Sequence, residues 1–311
     1  MAILFLSDAD KTNEWAAALA HELPNEEILI GAEVARKRAA DIDCAVVWWP
    51  EPGLLARLPG LKAIFSLGAG VDHIFADPSL PQDVPIIRLI DPALTEQMTE
   101  WVVMNVLRHH RRMTDYALQQ SRAEWRRHDI PRAQARRVGL MGLGILGEAA
   151  ARGLAPFGFD LAAWVRHPHA WEDGTLFVGD DGLQPFLARN DITVCLLPLT
   201  AATRGILGTR AFAGMPIGAS IINGARGGHV VPADLIAALD HGQLSAATLD
   251  VFDTEPLPAD DPLWRHPRIT LTPHVAAVTL AQTAAHEIAA NIRHLRAGQR
   301  LNGIVDPTRG Y

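Results

Sequence analysis

The sequence feature that most constrains the fold is an apolar stretch followed by closely spaced glycines, VGLMGLGILGEAAARGL at 138–154. Gly142, Gly144 and Gly147 form a G-x-G-x-x-G pattern between a predicted strand and a predicted helix. In this pattern the first glycine allows a tight turn, the second lets the backbone approach a pyrophosphate, and the third lets helix and strand pack closely. The motif therefore predicts a dinucleotide bound at a helix N-terminus, where free N–H groups attract anions. The alternative is an ordinary glycine-rich turn.

The end of the next predicted strand, DLAAWVR at 160–166, indicates which dinucleotide is bound. An acidic residue at this position would hold the ribose 2′-hydroxyl of NAD. This chain has Arg166 there, and no carboxylate follows before Glu172. An arginine can pair with a 2′-phosphate that an acid would repel, so NADPH is predicted as the preferred cofactor, with NADH possible. The alternative is that Arg166 is a solvated loop residue.

Short apolar runs alternate with helical stretches along the whole chain, which predicts parallel sheets covered by helices on both faces. An uninterrupted helical pattern without Gly or Pro runs from about Thr95 to Gln120 and separates two strand–helix series. The predicted strands of the two series are 2–6, 44–49, 63–67 and 84–90, then 137–143, 160–166, 192–199, 220–225, 247–252 and 269–274.

These two series predict an α/β fold with two Rossmann-like, doubly wound parallel-sheet domains and an interdomain active-site cleft. The substrate-binding domain is predicted to be discontinuous and to comprise residues 1–95 plus 275–311. The dinucleotide-binding domain is predicted to comprise residues 96–274. Closure of the domains around the substrate would exclude water from the reacting centre.

Composition narrows the functional classes. The 311 residues carry 28 Lys and Arg against 35 Asp and Glu, a formal charge of -7, which argues against nucleic-acid binding. Cys44 and Cys195 lie in apolar runs, so no disulfide framework is predicted and a cytoplasmic location is expected. No apolar run reaches the roughly 18 residues of a membrane span, so no membrane partner is expected. The 13 histidines show no metal-ligand spacing, which argues against a metal-dependent hydrolase.

Several further strings occur in order along the chain: SLGAGVDHI (66–74), the glycine loop, INGARGGHV (222–230), TLDVFDTEPLP (248–258) and TLTPHVAAVT (270–279). Together they resemble the D-isomer-specific 2-hydroxyacid dehydrogenase family, most closely its branch of glyoxylate and hydroxypyruvate reductases. The resemblance covers essentially the whole chain. It implies NADPH-dependent reduction of a small 2-oxo acid to the D-2-hydroxy acid.

The resemblance also implies the catalytic roles. Arg226 would bind the substrate carboxylate and polarise the carbonyl, His274 would donate the proton, and Glu255 would keep the imidazole protonated. The chemistry is consistent, because hydride arrival leaves negative charge on the carbonyl oxygen, which a guanidinium and a proton donor stabilise. Read singly, each residue has a structural alternative: a surface ion pair for Arg226, a core histidine for His274 and a solvated turn for Glu255.

The remaining site residues are carried over in the same way or proposed from their position. For substrate binding they are Trp48, which walls the pocket or packs in the core, the backbone N–H groups of Leu67, Gly68, Ala69 and Gly70, and Arg88. For cofactor binding they are Gly142, Gly144, Ile145, Leu146, Gly147, Arg166, Leu197, Pro198, Thr203, Ala225 and Asp250. Asp250 would hold the nicotinamide carboxamide, whereas Leu197, Pro198 and Thr203 have packing and turn formation as their alternative.

The family resemblance further implies a homodimer, with Trp125 and Arg126 after the long helix near the partner subunit. Two other functional readings stay open. One is a relative that reduces a larger 2-oxo acid such as phenylpyruvate. The other is a non-enzymatic, nucleotide-sensing scaffold of the kind used in transcriptional corepression, for which a damaged catalytic set would be expected.

Overall fold

The computed structural model describes residues 1–7 and 12–311. The chain divides into two compact units, Met1–Leu94 with Thr279–Tyr311, and Thr95–Val278. None of the helices in these described ranges is both long enough and apolar enough to cross a membrane.

The first unit is built on a five-stranded parallel sheet with the strand order β2-β1-β3-β4-β5. Its central strands are mostly apolar because both faces are buried, as expected for a parallel sheet. The strands are β1 (Ala2–Ser7), β2 (Glu27–Ile30), β3 (Ile42–Trp48), β4 (Ala63–Ser66) and β5 (Ile86–Ile87). The helices are α1 (Thr12–Glu22), α2 (Ala32–Lys37), α3 (Asp72–Phe75) and α10 (Ala281–Arg296).

The C-terminal part of the chain is an integral part of this unit. The helix α10 buries Ala284, Ala285 and Ile288. At its end, Arg296 forms ion pairs with Glu26 and with Asp43, whose side chain is only 5% exposed. Beyond the helix, residues 303–305 exchange backbone hydrogen bonds with β5 and its flanking residues in the antiparallel sense.

The second unit is built on a seven-stranded parallel sheet with the order β12-β11-β10-β9-β6-β7-β8. The strands are β6 (Arg137–Met141), β7 (Asp160–Val165), β8 (Thr175–Val178), β9 (Ile192–Cys195), β10 (Ala219–Asn223), β11 (Leu244–Leu249) and β12 (Ile269–Leu271). The helices are α4 (Pro92–His110), α5 (Met113–Ser121), α6 (Ile145–Leu154), α7 (Gly179–Arg189), α8 (Thr209–Gly214) and α9 (Pro232–Asp240).

The strand order explains why a ligand site forms in this unit. From β6 the chain moves outward to β7 and β8, and then returns to the other side of β6 to build β9, β10, β11 and β12. The helices that follow β6 and β9 therefore leave the sheet in opposite directions, and a crevice opens at the carboxyl ends of these two strands. The predicted glycine motif lies at this crevice.

The predicted α/β class with two doubly wound parallel sheets is confirmed, but three local predictions were wrong. The helical pattern over 95–120 forms two helices, because the chain turns at Arg112 with a positive φ of 58°. The strand predicted over 84–90 is hydrogen-bonded as a strand only at Ile86–Ile87. The strands β2 and β8 were missed, since each is a short, half-exposed edge strand with only three consecutive apolar residues.

Candidate active site

The glycine loop joins β6 to α6 with the geometry that a bound phosphate group requires. Gly142 has a φ of 95°, and a Cβ there would lie 3.0 Å from the Leu196 carbonyl oxygen. A Cβ on Gly147 would lie 2.2 Å from the Gly142 carbonyl oxygen, so no side chain fits between helix and strand. A Cβ on Gly144 would meet no atom of the described residues within 4 Å. The loop backbone can therefore approach a ligand closely at Gly144.

Some residues around this loop are exposed to solvent, and others pack against the core. Gly144 is the N-cap of α6, and Ile145, which opens the helix, is 38% exposed. Leu146 packs against the hydrophobic core of the unit. Because β7 lies beside β6, its carboxyl end stands next to the glycine loop, and Arg166 follows it as an exposed residue. The exposed guanidinium of Arg166 thus lies at the carboxyl ends of the strands, beside the glycine loop.

The predicted catalytic histidine and glutamate are paired in the second unit. The His274 Nδ1 atom lies 2.7 Å from Glu255 Oε2, and the second oxygen of Glu255 accepts a 2.8 Å hydrogen bond from the Phe252 N–H. The side chains of His274 and Glu255 are 37% and 34% exposed. Because a carboxylate only accepts, His274 Nδ1 carries a proton, and Nε2 is the ring nitrogen left for other chemistry.

Several contacts determine the charge of Glu255. Burial alone would raise the pKa of this carboxyl group. The hydrogen bonds from His274 and from the Phe252 N–H, with the positive charge of Arg226, outweigh burial and place the pKa of Glu255 below its ordinary value. Glu255 is therefore ionised at neutral pH and accepts the hydrogen bond from His274 Nδ1 as a carboxylate.

The segment that carries His274 is held by Asp250, which is fully buried at the end of β11. The carboxylate of Asp250 accepts hydrogen bonds from the Thr272 hydroxyl and from the N–H groups of Val275 and Ala276. The Asp250 carbonyl accepts a further bond from the His274 N–H at 2.8 Å. His274 itself adopts a positive φ of 54°, a conformation that an unsupported histidine rarely keeps. These contacts hold the backbone of His274 in that strained conformation.

This network involves the carboxylate of Asp250, the residue predicted to hold the nicotinamide carboxamide. Both carboxylate oxygens are already used by the segment that holds His274, and the residue has no exposed surface. The carboxylate thus stabilises the segment that carries His274.

Arg226 follows β10 in a loop that has no room for a side chain at Gly227. A Cβ on Gly227 would lie 2.0 Å from the Phe252 carbonyl carbon, so this loop packs directly on the backbone just before Glu255. The Arg226 guanidinium donates through Nη1 to the Ala225 carbonyl at 2.8 Å. Asn223 holds the loop from below: its Oδ1 accepts from the Ala225 N–H and its Nδ2 donates to the Arg226 carbonyl. Ala225 thus helps to hold Arg226 and is only 7% exposed.

The loop after β9 packs under the glycine motif. Leu197 is 9% exposed, and one of its methyl carbons lies 3.4 Å from the position of a Cβ on Gly142. The Thr203 hydroxyl donates to the Pro198 carbonyl at 2.7 Å and accepts from the Thr200 N–H at 2.8 Å. Thr203 is only 4% exposed. Thr203 therefore stabilises this turn, the alternative considered from sequence.

In the first unit, the loop 66–71 connects β4 to α3. The Leu67 N–H donates to the Val47 carbonyl, and the Gly68 N–H donates to the Ser66 hydroxyl. Pairing with β3 and a turn therefore already use two of the N–H groups that were predicted to receive a carboxylate. Within 1–7 and 12–311, the N–H groups of Ala69 and Gly70 have no acceptor, and both residues are partly exposed.

Two further predicted substrate residues lie against this loop. A Cβ on Gly68 would lie 2.8 Å from the Trp48 ring, so the indole covers the loop. The centroids of the Trp48 ring and the His73 imidazole are 4.3 Å apart. The backbone of the segment holding Arg88 is tied to the loop by the Leu89 N–H, which donates to the Gly68 carbonyl. Burial lowers the pKa of Arg88, and no described residue forms an ion pair with it.

Sequence reasoning missed the supporting residues Asn223 and Thr272. Each lies within one of the family-like strings, three and two residues before a predicted catalytic residue. Their spacing from Arg226 and His274 was the available signal, but their partners become visible only in the folded chain.

Comparisons with known proteins agree with this geometry. A family model described as D-isomer specific 2-hydroxyacid dehydrogenase, NAD binding domain, matches residues 103–276. The chain is 43% identical to a glyoxylate/hydroxypyruvate reductase A from Serratia proteamaculans, with 100% of both chains covered. It is 40% identical to a protein of the same name from Yersinia enterocolitica, again with 100% of both chains covered.

Solved structures are similar over the same length. A D-isomer specific 2-hydroxyacid dehydrogenase from Xanthobacter autotrophicus, in complex with NADPH and MES, has a TM-score of 0.93 and 41% identity, covering 100% of this chain and 99% of that one. An NADPH-dependent glyoxylate/hydroxypyruvate reductase from Sinorhizobium meliloti, in complex with NADP and sulfate, has a TM-score of 0.92 and 39% identity, with 100% of both chains covered.

A glycine loop at the switch point of a parallel sheet, in the same unit as an arginine and a paired histidine and glutamate, defines a nicotinamide-dependent oxidoreductase. The chain belongs to the D-isomer specific 2-hydroxyacid dehydrogenase family. It is therefore an NAD(P)-dependent enzyme that interconverts 2-oxo acids and 2-hydroxy acids.

Proposed function

We propose that the chain reduces a small 2-oxo acid, glyoxylate or hydroxypyruvate, to the D-2-hydroxy acid with NADPH. The observation that carries this proposal is the 2.7 Å pair of His274 and Glu255, in the unit that also carries Arg226 and the glycine loop. The similarity over the full length to proteins named glyoxylate/hydroxypyruvate reductase A supports the choice of substrate class.

In the proposed mechanism, His274 carries two protons, and Nε2 donates one of them to the substrate oxygen. Glu255 stays ionised and balances the imidazolium from the Nδ1 side. Arg226 binds the substrate carboxylate and stabilises the charge that develops on the carbonyl oxygen. NADPH, when bound, supplies the hydride, and the protein supplies position and charge.

The residues around the glycine loop fit such a cofactor. The backbone is open at Gly144 and closed to side chains at Gly142 and Gly147, as close approach of a pyrophosphate requires. The NADPH and NADP in the solved structures of relatives support the same choice. We infer that Gly142, Gly144, Ile145 and Gly147 hold the pyrophosphate, and that Leu197 and Pro198 lie beneath the cofactor.

The first experiment is the initial rate of NADPH oxidation with glyoxylate, hydroxypyruvate and phenylpyruvate, each repeated with NADH. Fast turnover of the two smaller acids with NADPH is the expected result. Turnover of phenylpyruvate alone would replace the proposed substrate class with a larger one. No turnover with any acid would overturn the proposed activity.

Arg166 is expected to recognise the 2′-phosphate. The change Arg166→Ala should reduce kcat/KM for NADPH by about 10- to 100-fold, the effect of losing one charged hydrogen-bonding group, and leave kcat/KM for NADH unchanged. Steady-state kinetics with each cofactor at saturating glyoxylate measure this. Arg152→Ala is the matched control, because Arg152 is 65% exposed on the helix that follows the same loop. An equal loss with both cofactors would remove Arg166 from this role.

Glu255 is expected to set the pH range of the reaction. Its ionised carboxylate favours the imidazolium, and reduction consumes a proton from that imidazolium. The change Glu255→Gln removes this stabilisation, so the alkaline limb of the pH profile of kcat/KM should move to lower pH. The measurement is the reduction rate between pH 5 and pH 9, a range of roughly two units either side of neutrality. An unchanged alkaline limb would show that Glu255 does not hold the catalytic proton.

We propose that three further groups predicted for substrate binding keep that role. The N–H groups of Ala69 and Gly70 and the half-buried Arg88 guanidinium have the chemistry to receive a carboxylate. The indole of Trp48 covers the same loop at Gly68 and is proposed to wall the substrate pocket.

We further infer that the chain forms a homodimer. Trp125 is 96% exposed, although its segment is ordered by hydrogen bonds from Gln119 to the Arg126 carbonyl and from the His128 N–H to Tyr116. An ordered, exposed indole is typical of a contact with another chain.

The dimer proposal predicts that Trp125→Ser raises the dimer dissociation constant by roughly tenfold or more, as loss of a central aromatic contact does. Sedimentation velocity over a concentration series measures it. Trp264→Ser is the matched control, because Trp264 is 51% exposed but donates to the Pro258 carbonyl within its own chain. A monomeric wild-type chain, or equal effects of both changes, would contradict the proposal.

A further inference from the structure

A buried histidine lies directly beneath the loop that carries Arg226. His229 has no exposed surface. Its Nδ1 atom lies 3.1 Å from the Arg226 carbonyl oxygen, and its Nε2 atom lies 3.3 Å from the Pro198 carbonyl oxygen. The ring thus spans the distance between the loop after β10 and the loop after β9.

The chemistry of these partners fixes the direction of the contacts. Carbonyl oxygens only accept, so each ring nitrogen that bonds to one must donate. A neutral imidazole has one N–H and satisfies one of the two carbonyls, whereas an imidazolium satisfies both. In each form the ring holds a backbone carbonyl of the active-site loops.

Burying this ring requires compensation. An apolar side chain of similar size would fill a fully buried position without the cost of removing a polar ring from water. What the imidazole adds is a pair of donor positions at opposite edges of one rigid ring. Backbone hydrogen bonds already join Gly205 to Gly228 and Leu207 to His229. The ring adds a link nearer the reacting centre, at Pro198 and Arg226.

The two linked residues belong to different parts of the proposed reaction. Arg226 carries the guanidinium assigned to the substrate, and rotation of its peptide group would move that guanidinium. Pro198 follows Leu197, which packs under the glycine loop. Loss of the contact with Arg226 should therefore affect substrate binding, and loss of the contact with Pro198 should affect cofactor binding.

We propose that His229 is a positioning residue that fixes the Arg226 loop against the Pro198 loop and thereby aligns substrate and cofactor. This inference rests on the proposed function for its substrate side. It assigns no contact between His229 and either ligand.

The test uses three variants of the full chain that separate the two ends of the ring. The amide nitrogen of asparagine can occupy the place of Nδ1, and that of glutamine can reach the place of Nε2. His229→Asn therefore keeps a donor for the Arg226 carbonyl, His229→Gln keeps a donor for the Pro198 carbonyl, and His229→Leu keeps neither. Two quantities are measured: kcat/KM for glyoxylate at saturating NADPH, and the Kd of NADPH by fluorescence titration without glyoxylate.

For His229→Leu we expect kcat/KM for glyoxylate to fall and the Kd of NADPH to rise, each on the order of tenfold, the effect of one hydrogen bond. His229→Asn should restore kcat/KM for glyoxylate, and His229→Gln should restore the Kd of NADPH. A merely structural role would move both quantities together in all three variants. Urea unfolding midpoints identify a variant that fails to fold, in which case the Asn and Gln variants carry the comparison.

Two results would overturn the proposal: wild-type values in His229→Leu, or Asn and Gln variants that cannot be distinguished from the Leu variant. Failure of the proposed function has a different signature. The wild-type chain would then bind NADPH without turning over any 2-oxo acid, while the rise in the Kd of NADPH in His229→Leu and its rescue in His229→Gln would still be observed.

Discussion

Replacing His274 with asparagine should reduce kcat for glyoxylate reduction by about 10³-fold, within the usual range for loss of a general acid. Asparagine cannot donate a proton to the developing alkoxide, whereas it tolerates the left-handed backbone conformation better than most residues. Because His274 has a φ of 54°, this choice leaves the supporting segment least disturbed. The KM for glyoxylate should change much less than kcat, since the carboxylate is bound elsewhere. Steady-state kinetics with NADPH measure both.

The chain provides a matched control for this change. His286 lies on α10, and its Nδ1 atom is 3.3 Å from Glu22, a histidine–glutamate pair in the first unit without a role in the reaction. His286→Asn should leave kcat unchanged. If His274→Asn keeps the full kcat, the proton comes from another group. If it weakens NADPH binding as strongly as it lowers kcat, the segment has collapsed and the variant does not test proton transfer.

The glycine motif could be predicted from sequence because its geometry is local. The positions of Gly142, Gly144 and Gly147 are set within six residues by one strand, one turn and one helix. The structure adds which atoms impose each glycine, namely the Leu196 and Gly142 carbonyl groups for the first and the last. Local spacing was sufficient here because the turn leaves few alternatives.

The hydrogen-bond partners of Asp250 could not be predicted, because they lie 22 to 26 positions further along the chain. Sequence indicates a buried carboxylate near the catalytic residues but not which groups it faces. The same holds for the Leu67 and Gly68 N–H groups, whose acceptors depend on how β3 pairs with β4 and on the turn that follows. Hydrogen-bond partners of loop residues depend on tertiary structure.

The secondary-structure errors have a common physical origin. Edge strands such as β2 and β8 contact a neighbour on one side only and are partly exposed. Their apolar runs of three residues are shorter than those of the central strands β1 and β3. The break at Arg112 falls in a stretch without Gly or Pro, where nothing local signals a left-handed residue. Periodicity therefore predicts the buried central elements of both sheets and fails at their margins.

The second large effect is expected at Arg226. The change Arg226→Ala should reduce kcat/KM for glyoxylate by about 10³-fold. It removes the contact with the substrate carboxylate, and it removes the preorganised positive charge that stabilises the developing negative charge on the carbonyl oxygen. The change Arg226→Lys should recover only part of this loss, since an ammonium group cannot make the paired hydrogen bonds of a guanidinium. Steady-state kinetics of both variants, with the Kd of NADPH measured separately, test the assignment.

Arg204→Ala is the control for Arg226. Arg204 lies beside the same loop, its side chain is 61% exposed, and it forms an ion pair with Asp253. It should change kcat/KM for glyoxylate only slightly. Added guanidinium ion should restore part of the activity of Arg226→Ala, because a free cation of the same shape can occupy the vacated position. A Kd for NADPH that rises as much as kcat/KM falls would contradict a substrate role. Arg226 would then support the loop after β10, and the substrate carboxylate would have to be bound by other groups.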